Sequence, residues 1–363
     1  MEITAVEATT HRVPVDLPLL ETARERRIVF VQVETDTGET GYGFTAKPQW
    51  FGVRELINRE IAPIVVGENP IRTERIWDRV QQQTNKRLKT GAWSAAMSAV
   101  DIACWDLIGK GFDEPTWKLL GGTRRTVPAY ITFGLKLYDA DQLATLASEL
   151  VADGADKLKM KVGVDEGTNP ARDEARVAAV RETVGESVEL MVDANCELPL
   201  NTALEVADRI EPYRIAWFEE PIIGNDVDGL ASLRQRTRIP IAAGQEAGHR
   251  GPHRELIAND AIDIAQPNVC FVGGYTEARR VAGLAHAHNL KLANGCGWPH
   301  HNLALHAAAP NGWRVEYHYV HWQLGETIYR DPPAPNGGAV TLDDTPGLGL
   351  EPDREALDRY EVS

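Results

Sequence analysis

No stretch of this 363-residue chain is apolar for long enough to cross a bilayer, and its first thirty residues lack the apolar core of a secretion signal. A cytoplasmic protein without a membrane partner is the expectation. Only four cysteines occur, Cys104, Cys196, Cys270 and Cys296, and no two form a C-x-x-C pair. That excludes a disulfide framework and a zinc knuckle. Basic residues are also in deficit, 38 against 53 acidic, for a net charge of -15. Nucleic acids and anionic membrane surfaces need the opposite balance. No G-x-G-x-x-G follows the first strand of the second region described below, and no H-x-H ends it. Both absences count against a dinucleotide fold and a zinc hydrolase.

What is present is an ordinary globular composition, 43% apolar and 25% charged, ample for a sizeable core. Residues 1–125 read as an α+β unit. The stretch IVFVQVETDTGETGYGF alternates like two strands around a turn, and three helical segments follow it. One of these, NPIRTERIWDRVQQQ, carries a start signal in Asn69 and Pro70. From about residue 126 to 320 eight short apolar strands alternate with amphipathic helices: PAYITFG, ADKLKMKVG, VELMVDAN, IAWFEEP, IPIAAGQE, AIDIAQPN, LKLANG and WRVEYH. Buried parallel strands have this near-continuous apolar character, and seven or eight βα units predict a closed (β/α) barrel. An open doubly wound sheet is the alternative. Residues 321–363 carry turn and strand signals but no further βα unit, and are expected to pack back on the N-terminal part.

Nearly every barrel strand ends in a charged or amide side chain: Lys159 and Lys161, Asp193 and Asn195, Glu219 and Glu220, Gln245 and Glu246, Asn268, Asn294, then Glu316 and His318. In a parallel barrel these ends form one face, so chain-distant groups converge there. Any single one reads equally well as a cap for the next helix; seven strands ending alike do not. Asp193, Glu219 and Glu246 make an all-oxygen set suited to a hard divalent cation such as Mg²⁺.

The segment DKLKMKVG places Lys157, Lys159 and Lys161 on one face of a strand. A metal and an anionic small-molecule carboxylate are what such lysines would face. Ammonium groups about 7 Å apart raise each other's ionisation cost by roughly 2 to 3 kcal/mol at an effective dielectric near 20. With desolvation, this is expected to leave one lysine partly neutral at pH 7, able to accept a proton. Lys157, further from the mouth, reads as an ion-pair residue.

The order KMKVG, VDAN, WFEEP, GQE, QPN…GGYTEARRVA, HNLALHAAAPN and VEYH resembles the enolase superfamily, in its mandelate racemase / muconate lactonizing group. SAAMSAVDIACWDLIGKGFDEPTWKLLGG and the terminal GLGLE match as well. The resemblance implies a cap built from both chain ends, whose segments near residues 17–25 and 45–51 close over the barrel mouth. It further implies Mg²⁺ on Asp193, Glu219 and Glu246, and removal of a proton α to a carboxylate by Lys161. Lys159 then stabilises the enediolate, and Glu316 bonds the substrate carboxylate. Dimers or octamers are also implied.

Three departures shape the expected reaction. Gln245 occupies the place of the usual fifth-strand glutamate, with Glu246 one residue later, and alternate strand residues face opposite ways. Glu246 is taken as the ligand, with Gln245 the alternative. Asn268 cannot ionise, so the sixth strand offers no second base. The seventh ends in ANGCGWPHHN, where His300 or His301 is the candidate acid and Cys296 and Trp298 lie near the pocket; His321 reads as a surface residue. Racemisation needs an acid on the opposite face, whereas dehydration needs one base and help for a departing hydroxide. A sugar-acid dehydratase is therefore expected; an epimerase, a cycloisomerase and a non-catalytic barrel are the alternatives.

Overall fold

Val29, Val31 and Val33 alternate with Phe30, Gln32 and Glu34, and this period of two folds into an antiparallel sheet. The structure, a computed structural model, describes residues 1–20, 24–46, 49–84, 86–87 and 90–363. The sheet runs β1 (Ile3–Val15), β2 (Arg24–Thr35), β3 (Thr40–Thr45) in that order. Gly41 and Gly43 admit the helix Ala92–Phe112 onto its face: a Cβ on Gly43 would lie 1.8 Å from the Ala99 carbonyl oxygen. That helix is buried from Trp93 to Gly109 because its other side packs on the barrel. There Trp105 Nε1 donates to Thr276 Oγ1 at 3.0 Å and Ser98 Oγ accepts from the Gly273 amide at 2.8 Å. The helix expected to start at Pro70 begins instead at Thr73. Asn69 folds a turn of its own, its Oδ1 accepting from the Ile71 amide at 3.0 Å.

The eight strands expected of the barrel form it. They are β4 (Thr126–Gly134), β5 (Lys157–Lys161), β6 (Glu189–Asp193), β7 (Ile215–Glu219), β8 (Ile241–Ala243), β9 (Ile264–Ala265), β10 (Lys291–Ala293) and β11 (Gly312–His318). All pair in parallel with their neighbours, and β11 returns to β4, which closes the ring. Tyr130, Met191, Trp217, Ala242, Ile264 and Ala293 fill its interior. This apolar plug fills the barrel beneath the mouth.

The C-terminal tail does two things. Its short strands β12 (Tyr329–Arg330) and β14 (Glu351–Pro352) pair with each other, and Val362 donates to Thr10 of the cap sheet at 2.8 Å. In between, β13 (Ala339–Thr341) adds antiparallel to β4, a contact with the barrel that the sequence did not indicate. Of the two cap segments expected over the mouth, residues 21–23 and 47–48 lie outside the described residues. Among the described residues no helix is long and apolar enough to cross a membrane.

Candidate active site

The three lysines of β5 do share the inward face, at three depths. Lys157 pairs with Asp156 at 2.6 Å at the closed end. Lys159 is wholly buried, its Nζ 2.5 Å from Glu219 Oε1, 2.8 Å from Glu316 Oε1 and 3.7 Å from Asp193 Oδ2. Lys161 reaches the mouth with 13% of its side chain exposed, and donates to Asp193 Oδ2 and Asn195 Oδ1. Strand register causes this convergence: Lys161 stands opposite Asp193, and Asp193 opposite Glu219. Surrounding donors hold each carboxylate in place. Asn195 gives its amide to Asp193 Oδ1 at 2.8 Å. Trp217 Nε1 and Gln266 Nε2 donate to Glu219 Oε2 at 3.1 and 2.9 Å. Glu316 accepts from Thr132 Oγ1 and the Gly297 amide, both at 2.5 Å.

The anions facing the lysines are therefore the protein's own carboxylates, and this corrects the expectation of a partly neutral lysine. Burial pulls both ammonium groups down, and Lys159 pulls Lys161 down further. Glu219, Glu316 and Asp193 nevertheless outweigh burial at Lys159, and Asp193 does so at Lys161, so both are held above the ordinary lysine value. Asp193 is in turn pushed down to about 2: burial would raise it, but Lys161 and Lys159 prevail.

Glu246 is the second correction. Gly244, at φ +110°, turns the chain out of β8. The turn buries Gln245 and leaves Glu246 exposed at the cavity rim, its Oε1 3.7 Å from Cys296 Sγ. Among the described residues no three His, Cys, Asp or Glu side chains gather as a metal site, so Asp193, Glu219 and Glu246 do not. Gln245 donates its Nε2 to Glu220, while its Oε1 is buried without a partner. An unpartnered buried acceptor just past β8, the strand paired with the one that carries Glu219, fits a hard cation, with an amide where a third charge was expected.

His300 and His301 are the third correction. Both sit in the helix Pro299–Ala308, which leaves Trp298 at a left-handed φ of 59° and turns them away from the mouth. His301 stacks on Phe44 of the cap at 4.6 Å and meets Tyr329 Oη at 2.9 Å; His300 packs against Gly325. Neither lines the cavity. Burial lowers His253 to about 4, and His300, His301 and His306 to about 3. Unfolded, each titrates near ~6.5, so the unfolded chain binds protons that the fold excludes. Their contribution is complete above that pH and is lost as pH falls toward the folded values. Asp101 acts oppositely: burial raises it to about 7, so the fold keeps a proton that the unfolded chain releases above its ordinary value. The buried histidines, with His318 and His321 among them, outnumber Asp101 and Glu219, the latter raised by burial to about 8, so the balance is a loss of stability as pH falls through about 5. Urea midpoints measured between pH 7 and 5 should fall steeply; a flat profile contradicts this burial.

The mouth opens into a cavity of about 1200 Å³ whose lining includes Lys161, Asn195, Glu220, Gln245, Glu316 and His318. Glu220, one of the expected polar strand ends, lines the cavity at φ +40°, and Asn225, which carried no sequence signal, donates to it at 2.7 Å. His321, read as a surface residue, lines the cavity with His318, and both are held neutral by burial, reinforced by neighbouring positive charges. Arg24 and Arg26 enter from β2.

Residues 1–121 match the N-terminal domain of mandelate racemase / muconate lactonizing enzyme, and residues 142–356 match the enolase C-terminal domain-like family. This chain belongs to the enolase superfamily. Within it, the chain is 31% identical over its whole length to D-galactarolactone cycloisomerase of Agrobacterium fabrum, covering 99% of that protein. It is 32% identical to arabinonate dehydratase of Saccharolobus solfataricus, over 89% of this chain and 87% of the other. The solved L-talarate dehydratase of Polaromonas sp. JS666, complexed with Mg and L-glucarate, superposes with a TM-score of 0.89 at 32% identity, covering 100% of this chain and 98% of that one. The superfamily expectation drawn from K-x-K, D-x-N and E-E-P is therefore met over both domains.

Proposed function

We propose that this protein is a Mg²⁺-dependent dehydratase of a sugar acid: it removes the proton α to the carboxylate, expels the β-hydroxyl and releases a 2-keto-3-deoxy acid. One observation carries the reading. Of the three lysines on β5, Lys161 alone opens into the cavity, with a carboxylate and an amide holding its amine. Lys161 is the base. It sheds its proton more readily when Asp193 is drawn off it, because burial and the Lys159 charge are then opposed only by the weaker pull of Glu219. Asp193, Glu219 and the Gln245 carbonyl oxygen would hold the metal. Bound there, magnesium supplies positive charge to the carboxylate oxygens of the substrate. Lys159 adds fixed positive charge beneath them, and Glu316 is anchored by Thr132 and Gly297 to receive the substrate end.

Elimination is favoured over racemisation because Asn268, just after β9, does not ionise and so supplies no second base from the sixth strand. Asn268 is buried and committed, donating to Gly295 O at 2.7 Å and accepting from the Cys270 amide at 3.0 Å. Incubation with Mg²⁺ and a panel of aldonic and aldaric acids and their lactones is expected to yield a 2-keto-3-deoxy product. Exchange of the α-proton without loss of water would replace dehydration by epimerisation, and lactone opening by cycloisomerisation. Neither exchange nor product with any acid overturns the reading.

The third ligand has its own test. Gln245→Glu turns a neutral acceptor into a charged one and should tighten Mg²⁺ binding at least about tenfold by calorimetry, since charge count tunes such sites. Glu246→Gln should change it less than about twofold. Weakening by Glu246→Gln comparable to that by Asp193→Asn would return Glu246 to the ligand set.

A further inference from the structure

The cavity is larger than the reacting end of a sugar acid requires, and two arginines stand on its wall, with Glu246 exposed on the same lining. Most acids along the lining have a partner of their own. Glu197 pairs with Lys136 at 2.6 Å, and Glu255 with Arg254 at 2.5 Å. Glu220 takes donors from Asn225 and Gln245. Arg24 and Arg26, projecting from β2 into the same cavity, form no ion pair with a carboxylate among the described residues. Their neighbour Glu25 turns to Arg12 at 3.5 Å, and Arg27 stacks over Trp50 at 5.5 Å.

We propose that Arg24 and Arg26 receive a second anionic group at the far end of the substrate, so that the preferred substrate is an acid charged at both ends. The inference rests on the sugar-acid reading and narrows it from acids in general to dianions. Two guanidinium groups side by side over a cavity repel each other, and that repulsion is relieved when an anion bridges them. The guanidinium of Arg26 is lowered by burial and then by Arg24. His318 and His321 line the same cavity, within range of both the Arg26 and the Lys161 charge. Burial keeps both neutral, so they add no charge to the lining. One terminus meets Lys161 and Glu316, and the other meets the arginines.

The test is a binding measurement, so it does not depend on turnover. With Mg²⁺ present, calorimetry compares gluconate, glucarate and 6-phosphogluconate, with galactonate and galactarate as a second stereochemical series. A doubly charged acid is expected to bind at least about tenfold more tightly than its singly charged counterpart, the scale of charge-assisted hydrogen bonds. The paired variant R24Q/R26Q should bring that ratio close to one, while R24K/R26K, which keeps the charge, retains most of it and controls for a folding defect. Tighter binding of glucarate than of 6-phosphogluconate, whose phosphate brings up to one more charge, assigns a terminal carboxylate, and the reverse order a phosphate. Equal affinities in the native protein, or a ratio that survives R24Q/R26Q, overturn the proposal. An arginine-dependent ratio without turnover of any acid would leave this inference standing and remove the dehydratase reading. Turnover of singly charged acids with no arginine dependence would do the reverse.

Discussion

Lys161→Ala is expected to slow exchange of the substrate α-proton by about 10³- to 10⁴-fold, the upper range for loss of a positioned base. Among the described residues only this amine both reaches the cavity and neighbours the strand-end carboxylates. Lys161→Arg should be as inactive, because a guanidinium does not give up its proton near neutral pH. Magnesium affinity should stay the same or rise slightly, since Lys161 and the cation compete for Asp193. Proton NMR in D₂O reads the exchange and calorimetry reads the metal. Exchange retained within about tenfold of the native rate would assign the base elsewhere. Simultaneous loss of metal binding would show that the lysine organises the site rather than acting in it.

Lys159→Met should damage the fold as well as the chemistry. Its ammonium lies within 4 Å of three buried carboxylates, those of Glu219, Glu316 and Asp193, and 5.1 Å over the Tyr130 ring. Methionine replaces the volume but leaves the acids without their cation. Removing one partner of a buried ion pair costs about 3–5 kcal/mol. Saturating Mg²⁺ should restore part of that loss and stabilise the variant more than the native protein, because binding to the folded state alone adds stability. Urea unfolding with and without Mg²⁺ checks both statements. Unchanged stability would mean that the cluster does not depend on Lys159 for charge balance.

How much of this was legible beforehand differs residue by residue. Lys159, Lys161, Asp193, Glu219 and Glu316 could be brought together on paper because two regularities cooperate. A strand repeats every two residues, and a closed parallel barrel turns the last residue of each strand into a residue of the mouth. Each of these signals lies within a few residues of its effect.

Gln245 and Glu246 show where such reading stops. Which of the two faces inward depends on the dihedral of Gly244, and glycine permits either outcome. His300 and His301 were misplaced for a related reason. Trp298 in the left-handed region precedes the helix that carries the His301 imidazole to Phe44 of the cap and the His300 imidazole to Tyr317 and Gly325. For the lysines, the sequence showed two neighbouring ammonium groups and suggested a lowered pKa. Distances to three carboxylates reverse that sign.

The order of strands and helices, the polar strand ends and the superfamily were determined by the sequence itself, because hydrophobic periodicity and short-range spacing follow local geometry. The tertiary structure alone decided that Arg24 and Arg26 stand over a mouth built more than a hundred residues later, that Gln245 rather than Glu246 is buried beside it, and that the carboxylates hold the lysines charged. Charge interactions act through space and fall off with separation, and separation between chain-distant groups exists only once the barrel has closed under its cap.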